Sequence, residues 1–264
     1  MLDQKTRNEF ARELYDAQRK QTPVTALTDR CPEITLEDAY EIQLQVVKLK
    51  EADGIRVIGK KIGLTNKPIR EQIGVFEPDY GMITSDGLLM DGETLHMEKF
   101  IAPRIESEIA FIMGEDITME QYPVKPCDIY RATYGIAPAL EIVDSRIKDW
   151  KIKIQDTVSD AASYAAIVLG NRITKLDGLD LRVLGMAAYL NGDMVQHGAS
   201  GSVMGNPINS VVWLANKLLS LGLELKKGEI ILSGSFTPVF DIHTGDTVHV
   251  AFDHLGSVSL NVRP

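Results

Sequence analysis

Between residues 2 and 20, Phe10, Ala11, Leu14, Tyr15 and Ala17 recur on one stripe of a 3.6-residue period, which predicts a first helix. Thr35-x-x-Asp38 is a capping-box pattern ahead of a second helical run, and Gly54 stops it. Residues 56–63 read as a short strand with Lys61 at its end, after which Asn66 and Pro68 open a short helix up to Gly74. Glu77-Pro78-Asp79-Tyr80-Gly81 is turn chemistry, so Asp79 is expected in a turn. From there short apolar runs alternate with Gly and Asp breaks. Residues 126–137 predict a helix leading into the strand Ala139-Leu140-Glu141-Ile142-Val143. Leu190-Asn191-Gly192-Asp193 is a hairpin signal, because Asn-Gly tolerates the positive φ angles of a type I′ turn. Asn206-Pro207 opens an amphipathic helix with Val211, Val212, Leu214, Ala215, Leu218 and Leu219 inward and Gly222 at its end; Trp213 is assigned to the core. Residues 229–263 predict three or four strands. Helices come first and strands later, the order of an α+β chain: a small helix-rich region at 1–75 and a β-rich domain at 76–264.

One stretch departs from this plain pattern. Arg104-Ile105-Glu106-Ser107-Glu108-Ile109-Ala110-Phe111 alternates as a buried strand would, yet carries two carboxylates. In a strand, Arg104, Glu106 and Glu108 share one face while Ile105, Ile109 and Phe111 pack the other. Positions i and i+2 lie roughly 6.6 Å apart, close enough for two flexible side chains to close on one hard cation that prefers oxygen. Glu141, alone in the next apolar strand, is a third donor, and three carboxylates leave about three positions of an octahedral ion for water and substrate. The plainer alternative is a solvated strand face neutralised by Arg104, with Glu141 paired to Arg146 or to a buried lysine. Lys61 could stabilise a substrate carboxylate or enolate oxygen, act as an acid or base if burial lowers its pKa, or be an exposed lysine; Asp79 could orient a water, or bond its own backbone.

Composition narrows the classes. The 264 residues are 44% hydrophobic and 25% charged, as in a globular protein that buries a sizeable core. A formal charge of −9 with no basic run argues against nucleic acid or an anionic membrane as a partner. An anionic substrate would then need a local cation. The charged N-terminus lacks the apolar core of a secretory signal, and nowhere do about eighteen apolar residues follow one another; the expectation is a cytoplasmic protein. Cys31 and Cys127, far apart and outside any C-x-x-C pattern, fit reduced thiols. Gly198, Gly201 and Gly205 form no phosphate loop, and the histidines at 96, 197, 243, 249 and 254 show no metal spacing and no G-x-S-x-G partner.

Several longer motifs occur in order: Lys61-Ile62-Gly63-Leu64-Thr65, Glu77-Pro78-Asp79-Tyr80-Gly81, Pro103-Arg104-Ile105-Glu106-Ser107-Glu108, Pro138-Ala139-Leu140-Glu141-Ile142-Val143-Asp144-Ser145-Arg146, residues 149–158, and Ile231-Leu232-Ser233-Gly234-Ser235. Together they resemble the 2-hydroxypenta-2,4-dienoate hydratases, which stand with the 4-oxalocrotonate decarboxylases in the fumarylacetoacetate hydrolase superfamily. The resemblance implies a mixed β-sheet roll of that type with the helix-rich N-terminal region packed on it. It implies Mg²⁺ or Mn²⁺ on Glu106, Glu108 and Glu141, with Lys61 and Asp79 as catalytic groups and Leu64, Thr65, Arg104, Ser163 and Ser233 at the substrate.

The implied reaction is addition of water to 2-hydroxypenta-2,4-dienoate, giving 4-hydroxy-2-oxopentanoate, in meta-cleavage degradation of aromatic compounds. The alternatives are decarboxylation of 2-oxohex-4-enedioate on the same site, and a non-catalytic protein that binds small acids. The sister decarboxylases tend to carry an apolar residue where Asp79 stands, which favours hydration. Hydrolysis ranks third, because the superfamily's hydrolases use an early His–Glu pair and the first histidine here is His96. The resemblance further implies a homo-oligomer, or a complex with a sister enzyme. One departure is visible: Asp160-Ala161-Ala162-Ser163 stands where the family often has Asp-Asn-Ala-Ser.

Overall fold

The computed structural model describes residues 1–264, with the side chain of residue 73 left out. Three helices come first: α1 (Gln4–Lys20), α2 (Leu27–Arg30) and α3 (Leu36–Ala52). Asp3 caps α1 by accepting the Thr6 N–H, and Thr35 with Asp38 forms the expected capping box on α3. The apolar stripe of α1 closes against α2, α3 and Ile147 in a small separate cluster built on Phe10, Leu14, Leu27 and Ile42. Each such side chain contributes about 1.5–3 kcal/mol by leaving water.

Then follow β1 (Val57–Gly63), α4 (Lys67–Ile73), β2 (Asp79–Thr84), β3 (Leu88–Met90), β4 (Thr94–His96), β5 (Arg104–Met113), α5 (Pro126–Ala132), β6 (Thr133–Val143), α6 (Ile154–Ser159) and β7 (Tyr164–Leu169). The last third holds β8 (Gly185–Leu190), β9 (Asp193–Ala199), α7 (Pro207–Ser220), β10 (Ile230–Leu232), β11 (Phe240–Asp241), β12 (Thr247–Phe252) and β13 (Gly256–Arg263). An eight-stranded mixed sheet runs β2-β1-β10-β5-β6-β7-β3, with β11 also on β5; a five-stranded sheet runs β4-β13-β12-β8-β9. The expected α+β class with mixed sheets holds, and the N-terminal region contributes β1 to the larger sheet.

The large sheet has two unlike faces. One carries Ile105, Ile109, Phe111, Leu140 and Ile142 into the main core, with α7 and the inner face of the small sheet. The other carries a thinner apolar layer of Ala110, Ala139, Ile167 and Leu232, and on this face stand Glu106, Glu108 and Glu141, as period-two alternation requires. Trp213 is half-buried and packs on the core from α7.

Two expectations need correction. The helix expected over 126–137 stops at Ala132, and Thr133 already opens β6. The pull is tertiary, since β6 pairs with β5 from Val143 back to Thr133, which overrides local helix preference. Asp79 is not in a turn; it is the first residue of β2, paired with Gly63 and buried. Among the described residues, no helix is long and apolar enough to cross a membrane.

Candidate active site

Glu106 and Glu141 are direct partners in the β5–β6 ladder, and Glu108 follows two residues along the same face. One carboxylate oxygen from each lies within 4.8 Å of the others. Glu108 and Glu141 are fully buried and Glu106 is half-buried. Glu108 Oε2 accepts the Gly234 N–H at 2.7 Å, but Glu108 Oε1 and both oxygens of Glu141 have no hydrogen-bond partner. Burial drives all three acids upward, Glu141 to about 8 and Glu108 well above the usual carboxylate range. Buried acids of like charge with orphaned oxygens are costly unless a proton or a cation is shared among them. An all-oxygen donor set at these separations fits a hard divalent ion, for which ligands on opposite sides lie roughly 4–5 Å apart.

Lys61 is the buried lysine in contact with these acids. Its Nζ lies 3.3 Å from Glu141 Oε1 and donates to the Ala162 carbonyl at 3.0 Å. Burial disfavours its charge, yet Glu141, Glu106, Asp79 and Glu108 outweigh burial and hold the ammonium above its ordinary range. The alternative pairing with Arg146 does not form, because Arg146 is taken by Asp160. Asp79 is buried, with Oδ1 unpartnered, and burial raises its carboxyl although Lys61 pulls the other way. Lys61 pairs with Gly81 across the β1–β2 ladder, and Asp79 pairs with Gly63. Partners directly opposite share a face, so Asp79 turns into the space left by Gly63, while over Gly81 the Ala161 carbonyl takes the corresponding place.

Residues 46–263 match the family model described as fumarylacetoacetate (FAA) hydrolase C-terminal. The chain belongs to the fumarylacetoacetate hydrolase family. Among relatives in that family, it is 43% identical over 250 residues to the 2-hydroxyhexa-2,4-dienoate hydratase of Comamonas testosteroni, covering 94% of each chain. It is also 43% identical over 223 residues to the 2-hydroxypent-2,4-dienoate hydratase of Pseudomonas putida, covering 84% of this chain and all of the relative. The solved structure of 4-oxalocrotonate decarboxylase from Pseudomonas putida G7, complexed with magnesium and adipate, superposes with a TM-score of 0.95 at 31% identity over 99% of both chains.

In this family member Glu106 and Asp79 open onto a cavity of about 590 Å³, large enough for a small organic acid, while Glu108 and Glu141 do not line it. Lys61, Asp79, Glu106, Leu64 and Ser163 line it, brought together as the sequence expects. Thr65, Arg104 and Ser233 do not line it. Thr65 is buried beneath Gly234, Ser233 is buried behind the Glu108 strand with its hydroxyl unpartnered, and Arg104 stacks over Trp150 at 4.7 Å while donating to Asp241 at 2.9 Å. Arg104 therefore reaches the cavity only through Trp150, which does line it. The sequence gives no functional sign of the apolar wall of Val75, Val143, Ile152 and Val239, the Gly234 N–H or the Ala162 carbonyl. Main-chain groups leave no mark in a sequence. The paired patterns Lys61-x-Gly63 and Asp79-x-Gly81 were a usable signal for the two opposed glycines.

Proposed function

We propose that this protein is a metal-dependent hydro-lyase that adds water to 2-hydroxypenta-2,4-dienoate, or its 2-oxo tautomer, to give 4-hydroxy-2-oxopentanoate in meta-cleavage breakdown of aromatic compounds. The observation that carries the reading is Asp79, a buried carboxyl with a free oxygen on the same face as Lys61 and the three glutamates. Hydration needs a group to aim and deprotonate a water, and Asp79 is such a group in the cavity. The names of the similar hydratases support the same reaction class.

Glu106, Glu108 and Glu141 would hold the ion, Mg²⁺ or Mn²⁺, and the magnesium in the similar decarboxylase structure supports this choice. When bound, such an ion supplies Lewis-acid polarisation of the carboxylate and 2-oxygen of the substrate. Lys61 offers a fixed ammonium to the oxygen that becomes negative as the 2-oxo-3-enoate is attacked at C4. Asp79, its carboxyl raised by burial, takes the proton of the attacking water and supports its return to C3, so that one water is added and no proton is left over. Val75, Val143, Ile152 and Val239 seat the hydrocarbon part of the substrate and keep bulk water from it. We place the enzyme in the cytoplasm as a homo-oligomer, alone or with a sister decarboxylase, on the strength of the family resemblance.

Decarboxylation of 2-oxohex-4-enedioate is the second reading, favoured by the close superposition on the decarboxylase. Parallel assays with MgCl2 or MnCl2 decide between them. Loss of dienoate absorbance without CO₂ release from the enedioate is expected; CO₂ release without hydration overturns the assignment.

A further inference from the structure

Ala161, Ala162 and Ser163 are three consecutive residues in the left-handed region, at φ 53°, 53° and 60°. None is glycine or asparagine, the residues that enter this region cheaply, so the run is strained at every step. Surrounding groups hold it there. Ser163 N–H donates to Asp160 O at 2.9 Å and Asp144 N–H donates to Ser163 O at 2.9 Å. The Arg146 guanidinium binds the Asp160 carboxylate and donates to the carbonyls of Asp160 at 2.6 Å and Tyr164 at 2.8 Å, clamping both ends of the turn. Below it lies Gly81, where any Cβ would fall on the Ala161 carbonyl, 2.7 Å from its carbon. The turn is thus pressed onto the residue that faces Lys61 in the ladder.

This strain has a local product, the Ala162 carbonyl, which accepts a hydrogen bond from Lys61 Nζ at 3.0 Å. An ammonium has three protons. With one directed to Ala162 O and another towards Glu141 Oε1, the third is free for a ligand in the cavity. We propose that the left-handed turn Ala161–Ser163, seated on Gly81, is a positioning device that aims the Lys61 ammonium at the substrate. The proposal rests on the reading of Lys61 as an active group given above. In it Ala162 and Gly81 are positioning residues, acting through Lys61.

The test compares Ala162→Val with Ala162→Gly in the metal-loaded enzyme, reading kcat, KM and, by titration calorimetry with MgCl2, metal affinity. Valine resists a positive φ and should swing the carbonyl away, lowering kcat roughly tenfold or more, the loss expected for a hydrogen bond to a charged group. Metal affinity should stay within about twofold, since the glutamates are untouched, whereas a rise in KM with kcat kept would mean that valine only crowds the cavity Ala162 lines and would overturn the proposal. Glycine keeps both the carbonyl and the angle and should retain at least about ten times the kcat of the valine variant. A folded Ala162→Val enzyme with the kcat of Ala162→Gly overturns the proposal. If Ala162→Val does not fold, Gly81→Ala, which pushes on the turn from below, is read in the same way; if neither folds, the turn is a folding element and the proposal is rejected. Lys61→Ala separates the two levels: unchanged kcat there would sink the reading of the site itself, whereas a large loss there with no difference between valine and glycine would sink only the turn.

Discussion

Lys61 stands opposite Gly81 in the β1–β2 ladder, and two residues further on the order is reversed, with Gly63 opposite Asp79. Asp79 thereby takes the space a side chain at Gly63 would fill, while the space over Gly81 is taken by the Ala161 carbonyl. In an antiparallel pair, opposed side chains sit about 4.5–5.5 Å apart at Cβ, so a side chain at Gly63 would crowd Asp79, whereas one at Gly81 would meet the Ala161 carbonyl.

Gly63→Ala should therefore cost activity more than stability. A Cβ there would meet the free oxygen of Asp79 and come within 3.4 Å of Lys61 Nζ, both of them ends of side chains that can move aside. The backbone is not blocked, and the fold should survive with a change in melting temperature of a few degrees, while kcat falls roughly tenfold as Asp79 is displaced. Thermal melts and steady-state kinetics on the same preparation check it; unchanged kcat would show that Asp79 does not need its present position.

Glu141→Gln should separate stability from function in the opposite direction. Both oxygens of Glu141 are buried without a hydrogen-bond partner beside two other acids, and Lys61 Nζ at 3.3 Å is the cation beside them, so in chelator-treated protein the amide removes a buried charge once the pH passes about 8. A gain in metal-free stability is expected only above about pH 8, where Glu141 would otherwise ionise, and it is offset in part by the loss of the Lys61 ion pair. Magnesium stabilisation should shrink, and turnover should fall by orders of magnitude. Urea melts with and without MgCl2 test this, and a variant that stays as active as wild type in EDTA would remove the metal from the reaction.

The glutamate cluster was legible because a strand has period two: Glu106 and Glu108 had to share a face, and an apolar strand with a lone Glu141 was a natural neighbour. Asp79 was misplaced because Pro78-Asp79-Tyr80-Gly81 carries turn residues for another reason, the glycine serving as a space rather than a bend. The end of α5 was blurred because pairing with β5, a long-range event, draws Thr133 to Ile136 into a strand. The turn at Ala161–Ser163 had no readable signal at all, since its φ angles are imposed by Arg146, Asp144 and Gly81 from distant parts of the chain.

Arg146 should be among the least replaceable residues outside the cavity. It is 3% exposed and its guanidinium serves Asp160 together with the carbonyls of Asp144, Asp160 and Tyr164. Arg146→Met leaves the Asp160 carboxylate buried without its partner, and breaking a buried pair in this way costs about 3–5 kcal/mol. Arg146→Lys should recover only part of this, because an ammonium cannot reproduce the planar fork of donors. Urea denaturation midpoints in the order wild type, lysine, methionine are expected; equal midpoints would show that the clamp does not hold the fold.

The pH dependence of the metal-free protein should run against that of the metal complex. Burial, reinforced by Glu106 and Asp79 and opposed by Lys61, lifts Glu141 from 4.5 to about 8, and Glu108 is also well raised. Groups whose folded pKa is raised hold protons that the unfolded chain releases, so their stabilising contribution is complete below about 4.5 and is lost as pH climbs through about 8. Chelated protein should thus melt at progressively lower temperature across that window. Metal binding uses the deprotonated acids and displaces those protons, so it strengthens over the same range. The rise in melting temperature on adding MgCl2 should be small near pH 6 and large near pH 8.5, with protons released to the buffer as the ion is titrated in. A magnesium effect that is larger at the acid end, or a titration that releases no protons, would mean that Glu106, Glu108 and Glu141 are not the groups that take up the ion.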